Sequence, residues 1–224
     1  MPAESGKTVR VTRRYRPDDP RLQNGAPAGR PEWLRVTAPS GENYLALKQL
    51  VREKSLHTVC ESARCPNIGE CWQSRTATFL ILGNTCTRGC AFCAVQAGVP
   101  TEYDLDEPRR VAEAVTTLGL KYAVITSVTR DDLADGGASI FAGTIRGIRA
   151  GNPDCRVEVL IPDFQGDAAA LKTVVDARPD VLNHNIETVE RLYTLVRPRA
   201  DYHRSLHLLA GARAFDANIT TKSG

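Results

Sequence analysis

The sequence predicts an α/β fold in which parallel strands alternate with helices, preceded by a cysteine-bearing extension. Three observations carry this. Between Thr76 and Thr221, short apolar runs alternate with segments of helical period, the pattern of parallel β/α units. The ends of those runs are polar: Asn84, Thr126-Ser127, Asp163, Asn183-His184-Asn185 and Thr220-Thr221-Lys222. In a β/α barrel the loops after strand C-termini carry the functional groups. Six of the seven cysteines fall in two sets, Cys60, Cys65, Cys71 and Cys86, Cys90, Cys93, and the second set directly follows the first predicted strand.

Taken in order, residues 1–30 are rich in Pro, Gly, Arg and Asp and lack periodicity; they predict a mobile arm. Ordered structure is expected from Arg30-Pro31-Glu32-Trp33-Leu34 onward, and 31–75 form the extension that carries the first cysteine set. Over 42–54 the apolar residues Tyr44, Leu45, Leu47, Leu50 and Val51 have helical spacing. The barrel unit is expected over 76–224. Strands are predicted at 76–82, 122–128, 156–161, 181–186 and 217–221. Helical segments are predicted at 107–118, 137–150, 167–177, 189–195 and 204–215. Gly119, Gly151-Asn152-Pro153 and Pro162 punctuate them, and Asp167 is a natural N-cap.

Bulk properties narrow the class. A length of 224 residues suits one domain with extensions. The formal net charge of +3 comes from the arm: residues 1–30 hold seven Lys/Arg against three Asp/Glu, and the remainder sums to −1. No nucleic-acid surface is expected of the folded part. No apolar run approaches the ~18 residues of a membrane span, and the N-terminus has no secretory apolar region. A cytoplasmic chain without membrane contact is expected, in which the cysteines serve metal or redox chemistry and not disulfides.

The second cysteine set reads Cys86-Thr-Arg-Gly-Cys90-Ala-Phe-Cys93, that is C-x3-C-x2-C. Structural zinc takes four closed ligands, and no fourth Cys or His follows nearby. The spacing of bacterial ferredoxin clusters is also absent. Three thiolates on a cubane iron–sulfur cluster leave one iron open. This motif after the first strand of a β/α series resembles the radical S-adenosylmethionine (SAM) superfamily. The resemblance implies a [4Fe–4S] cluster on these cysteines and SAM chelating its fourth iron. One electron then cleaves SAM to methionine and a 5′-deoxyadenosyl radical. It also implies that Phe92 lies beside the adenine.

The first set, Cys60 through Cys65 to Cys71, reads C-x4-C-x5-C. Alone it is compatible with a zinc site completed by His57; beside the second set, another cluster is the stronger reading. Further stretches bear on the choice: Ser55-Leu-His-Thr-Val-Cys60, Phe79-Leu-Ile-Leu-Gly83, Arg130 to Gly137, Val157 to Asp167, Leu182 to Thr188, Val196-Arg197-Pro198 and Thr221-Lys222-Ser223-Gly224. Together these resemble the lipoyl synthases over residues 31–224. The resemblance implies an incomplete (β/α)6 barrel of partial TIM type. It implies insertion of two sulfur atoms at carbons 6 and 8 of an octanoyl chain carried by a lipoyl carrier domain or a glycine cleavage carrier protein. Two [4Fe–4S] clusters, SAM and a low-potential electron donor are implied, with the first set's cluster as the sulfur source. In the family that cluster takes its fourth ligand from a serine in an Arg-Ser-Ser-Tyr motif. The motif is not in this sequence, nor is a sixth strand, so a C-terminally truncated member is expected. Asn84, Thr129 and Ala134 stand where the family usually has Asp, Asp and Pro. Another radical SAM enzyme with an auxiliary cluster, or an inactive iron–sulfur-binding fragment, remain as alternatives.

The resemblance also nominates SAM contacts. Gly136 and Gly137 match a stretch that receives the SAM amino group, with a helix-start glycine pair as the alternative. Asn185 and Glu187 are candidates for the ribose or methionine part, and equally suit a hydrogen-bonded strand end. Arg199 is a candidate for the SAM carboxylate or a surface arginine. Cys155 precedes an apolar strand and reads as a core thiol; among the histidines only His184 sits at a strand end.

Overall fold

The computed structural model describes residues 38–63 and 65–224, which lie within one compact unit, Thr37–Gly224. The expected arm and the expected start of order at Arg30 lie outside the described residues.

Helix α1 (Glu42–Glu53) buries Tyr44, Leu47 and Val51 along one face. Strand β1 (His57–Thr58) follows, then the short helices α2 (Val59–Ser62) and α3 (Ile68–Gln73). Strand β2 (Thr76–Ile81) opens the barrel. β1 pairs antiparallel with it through His57↔Leu80 and Thr58↔Phe79. α1 packs on α3, where the Tyr44 ring lies 5.4 Å from that of Trp72.

Strands β3 (Thr85–Cys86) and β4 (Gln96–Ala97) form a separate parallel pair that brackets the second cysteine set. The β/α series continues with α4 (Glu107–Thr117), β5 (Tyr122–Ser127), α5 (Ala138–Gly151), β6 (Arg156–Leu160), α6 (Ala168–Asp176), β7 (Val181–Asn183), α7 (Tyr193–Val196), α8 (Tyr202–Phe215) and β8 (Thr220–Lys222). The main sheet runs β1-β2-β5-β6-β7-β8. Its last five strands are parallel and follow one another across the sheet in chain order. This is the partial β/α barrel expected from the alternation.

Strand side chains alternate between faces. Phe79, Ile125 and Val159 are fully buried in the core, while the alternate residues Leu80, Thr126 and Leu160 line a cavity at the strand C-termini. Lower in the sheet, Glu158 accepts hydrogen bonds from Tyr122 Oη (2.7 Å) and Lys222 Nζ (2.9 Å), tying β5, β6 and β8 together. Asp167 caps α6 as expected, accepting from the Ala169 amide at 2.8 Å.

Several expected spans move. The strand expected over 181–186 stops at Asn183. Past it the Ile186 and Glu187 amides both donate to the Gly224 carbonyl, and Glu187 adopts φ 67°. The helix over 189–195 divides into a 3-10 turn, Glu190–Leu192, and α7. α8 starts two residues before its expected position because Asp201 caps it, accepting from the Arg204 amide at 2.7 Å. The last strand occupies Thr220–Lys222, not 217–221.

Candidate functional site

The second cysteine set occupies the loop after β2. Cys86 ends β3, and its carbonyl accepts from the Gly98 amide at 2.9 Å. Cys90 and Cys93 close one turn, with the Cys93 amide donating to the Cys90 carbonyl at 3.1 Å. Cys86 and Cys90 are half-buried and Cys93 is exposed. Burial raises the Cys90 thiol. Arg197 opposes the rise, while Cys86 and Cys93 add to it, so the three thiols stand close enough to feel one another's charge.

All three thiols line one open cavity over the strand ends. Phe92, Asn185 and Glu187 line it with them. Phe92 is 55% exposed although aromatic. The Asn185 amide nitrogen donates to Glu187 Oε1 at 2.8 Å. Non-glycine residues at positive φ are uncommon and collect at ligand sites, and Glu187 is one of them.

Three nominated contacts stand elsewhere. Gly136 lines an adjoining polar cavity that shares Thr129 and Pro162 with the first. Gly137 caps α5 at φ 89°, and its amide is taken by Asp135 Oδ1 at 2.9 Å. That φ favours glycine, and a Cβ there would also lie 2.2 Å from Leu82 Cδ1, so local geometry accounts for the residue. Arg199 Nη1 donates to the Thr87 carbonyl at 2.6 Å, outside the cavity wall. Arg197, two residues earlier, does line it, as does Arg88. His184 is 1% exposed. Its Nδ1 faces the Ile161 carbonyl (2.8 Å) and its Nε2 faces Ser205 Oγ (3.0 Å). Burial holds its pKa below the ordinary value. It is a neutral, hydrogen-bonded support of the cavity wall, with its proton assigned to Nδ1 by the carbonyl partner.

The first cysteine set lies apart from that cavity. Cys60 is buried in α2, and Cys65 and Cys71 are half-buried. Burial raises the Cys71 thiol, and the neighbouring Cys60 and Cys65 raise it further, so this set too is drawn together. His57 is exposed on β1. Among the described residues no three Cys, His, Asp or Glu side chains converge tightly enough to hold a single ion. Two cysteine triads, one of them facing an open cavity, are the candidate cluster sites.

Residues 80–222 match the family model described as the radical SAM superfamily, and residues 7–65 match the N-terminal domain of lipoyl synthase. A curated lipoyl synthase of Rubrobacter xylanophilus is 63% identical over 196 residues, 88% of this chain and 61% of that protein. One of Koribacter versatilis is 59% identical over 203 residues, 91% of this chain and 67% of that protein. The chain belongs to the lipoyl synthase family. It spans about three fifths to two thirds of the length of these relatives. The crystal structure of HydG, a maturase of the [FeFe]-hydrogenase, superposes with a TM-score of 0.50 at 15% identity. The match covers 78% of this chain and 45% of that one, and shows the shared fold.

In this lipoyl synthase-family chain the cysteine loop is held by contacts that no cysteine pattern reveals. Thr87 donates from its amide and from Oγ1 to the Thr129 carbonyl, both at 3.0 Å. Ala91 donates to the Val196 carbonyl at 2.9 Å. Arg88, 6% exposed, forks onto Asp131 (2.7 and 2.8 Å) and onto Asp163 (3.0 and 2.6 Å). Asp163 is fully buried and also meets Arg204 at 3.3 Å and the Gln165 amide at 3.0 Å. Burial works to raise the Asp163 carboxyl, but the bonds and charge of Arg88 outweigh it and hold it below the usual range.

A pH dependence follows. A carboxyl depressed in the folded state stabilises the fold above its unfolded pKa of about 3.9, and that contribution is lost as pH falls through the folded value. Asp163→Asn is therefore expected to melt below the parent chain at neutral pH, with the gap narrowing as the pH drops below about 4. Melting temperatures measured from pH 7 to pH 3 check this; a gap that stays constant or widens in acid contradicts it.

Proposed function

We propose that this chain carries the radical SAM core of a lipoyl synthase. It acts as a sulfurtransferase that inserts two sulfur atoms at carbons 6 and 8 of an octanoyl chain on a lipoyl carrier domain or a glycine cleavage carrier protein. The single observation behind this is the pairing of two cysteine triads in one fold, with the second opening on a cavity at the barrel's strand ends. Cys86, Cys90 and Cys93 hold one [4Fe–4S] cluster; Cys60, Cys65 and Cys71 hold the other, which supplies the sulfur. When bound, the first cluster and SAM supply one-electron chemistry able to remove hydrogen from unactivated C–H bonds, which no side-chain base achieves near neutral pH.

The chain's own residues bind and shield. Phe92 offers an exposed ring to the adenine. Asn185 and Glu187, fixed by their mutual hydrogen bond, present amide and carboxylate oxygens to the ribose or methionine part. Arg197 lines the cavity beside the carboxylate-paired Arg88, and its Nε is buried with no partner among the described residues. Gly136, Gly137 and Arg199 act through the backbone around the cavity. A low-potential donor delivers the electrons. No helix among the described residues is long and apolar enough to cross a membrane.

The test is anaerobic reconstitution with isotopically labelled sulfide, then reaction with SAM, a reductant and an octanoylated lysine peptide. Two [4Fe–4S] clusters, 5′-deoxyadenosine and a dithiolated peptide carrying the label are expected. Sulfur insertion without label would make the first set's cluster a binding site and not a source. Stoichiometric zinc with no SAM cleavage would end the reading.

A further inference from the structure

We propose that Arg88 is the positioning residue of the second cysteine set. Its guanidinium, gripped by Asp131 and Asp163, fixes where Cys86 and Cys90 stand before any cluster is bound. The inference takes these cysteines as cluster ligands, as proposed above.

Arg88 lies midway between Cys86 and Cys90. Its backbone amide donates to Cys86 Sγ at 3.4 Å, so any displacement of Arg88 moves a group directly against a ligand sulfur. Its side chain makes four hydrogen bonds to two carboxylates, one from the loop after β5 and one from the loop after β6. A planar guanidinium can satisfy two carboxylates at fixed angles, which an ammonium cannot. The loop is thereby referred to two neighbouring strand ends at once.

The charges balance locally. Arg88 and Arg204 face Asp131 and Asp163, so the four charges, of which Arg88 and Asp163 are buried, cancel. Removing one member would strand a partner away from water.

A second observation, independent of these bonds, concerns the backbone beside Asp163. Phe164 (φ 45°), Gln165 (φ 54°) and Gly166 (φ 86°) are all left-handed, and two of them are not glycine. The turn aims the Gln165 amide at Asp163 Oδ1 and lets Gln165 Nε2 reach the Asp131 carbonyl at 3.2 Å. Strained backbone of this kind persists where surrounding contacts impose it. Here one contact of the turn meets the Asp163 carboxylate and the other the Asp131 backbone, so both fall on the residues that hold Arg88.

The experiment is amide hydrogen exchange on the full chain, as purified without cluster and after reconstitution. The variants are Arg88→Lys, which keeps the charge and loses the forks, and Asp131→Asn, which weakens one fork. In Arg88→Lys, amides of 86–93 should exchange several-fold faster than in the parent, while β5 and β6 keep their protection; Asp131→Asn should fall between. After reconstitution, addition of SAM should perturb the electron paramagnetic resonance signal of the Arg88→Lys cluster less than that of the parent. Unchanged exchange over 86–93 in both variants overturns the proposal. So does protection lost evenly across β5 and β6, which would make Arg88 a support of the whole fold and not of the loop. Exchange needs neither substrate nor turnover, so a parent chain that cleaves no SAM would count against the proposed function without touching this result.

Discussion

Replacing Cys86, Cys90 and Cys93 together by alanine should leave a folded chain that keeps about half of its iron and cleaves no SAM. The fold survives because none of the three thiols is fully buried, and substitutions outside the packed core usually change stability by about 0.5 kcal/mol or less. The loss of activity is complete because the loop offers no other soft ligand to replace them. The remaining iron belongs to Cys60, Cys65 and Cys71, which do not line the same cavity. The complementary triple variant should still yield 5′-deoxyadenosine but transfer no sulfur. Iron counts and chromatography of the nucleoside read both outcomes. SAM cleavage surviving without the second set would sink the assignment of the two clusters.

Trp72→Ala is expected to cost about 3–5 kcal/mol, the largest effect of any single truncation in the extension. Trp72 is 0% exposed, packs against Tyr44, and directly follows Cys71. Removing the indole empties the contact between α1 and α3 and frees the helix that presents a cluster thiolate. The first set should therefore lose its iron while the second retains its own. Trp72→Phe should cost much less: it keeps part of the volume and removes an indole Nε1 that has no hydrogen-bond partner among the described residues. Denaturant unfolding of the two variants measures the difference. A cost below about 1 kcal/mol for Trp72→Ala would show that the extension does not depend on this packing.

The elements with strong period were legible. The helix expected over 107–118 occupies Glu107–Thr117, and the strand expected over 156–161 occupies Arg156–Leu160. Both have long apolar faces and clear stops. β1 was not legible: two residues have no period, and its existence depends on β2 as a partner. β7 was overextended because Ile186 is apolar, yet its amide is spent on the Gly224 carbonyl and not on a ladder. At the site, the family resemblance nominated the second cysteine set, Phe92, Asn185 and Glu187, and all of them line one cavity. Arg88 was inside the quoted motif all along, but its partners lie 43 and 75 residues away, and no local pattern signals such a contact. Arg197 and Arg199 are chemically alike and two residues apart; only the path of the chain after α7 decides which one faces the cavity.

The same long reach bears on the order in which the molecule is made. Each parallel strand of the main sheet pairs with the next strand of that sheet in chain order, so the sheet can grow unit by unit as the polypeptide emerges from the ribosome. The cysteine loop leaves early, but its Arg88 has no carboxylate partner until Asp131 arrives, and no second one until Asp163 does. During that interval the thiols of Cys86, Cys90 and Cys93 are carried on a slack segment, open to oxidation and to stray metal ions. Cluster delivery is thus best timed after β6 has been built, and any cellular factor that guards nascent thiols would have its longest task here, on residues translated well before the structure that secures them.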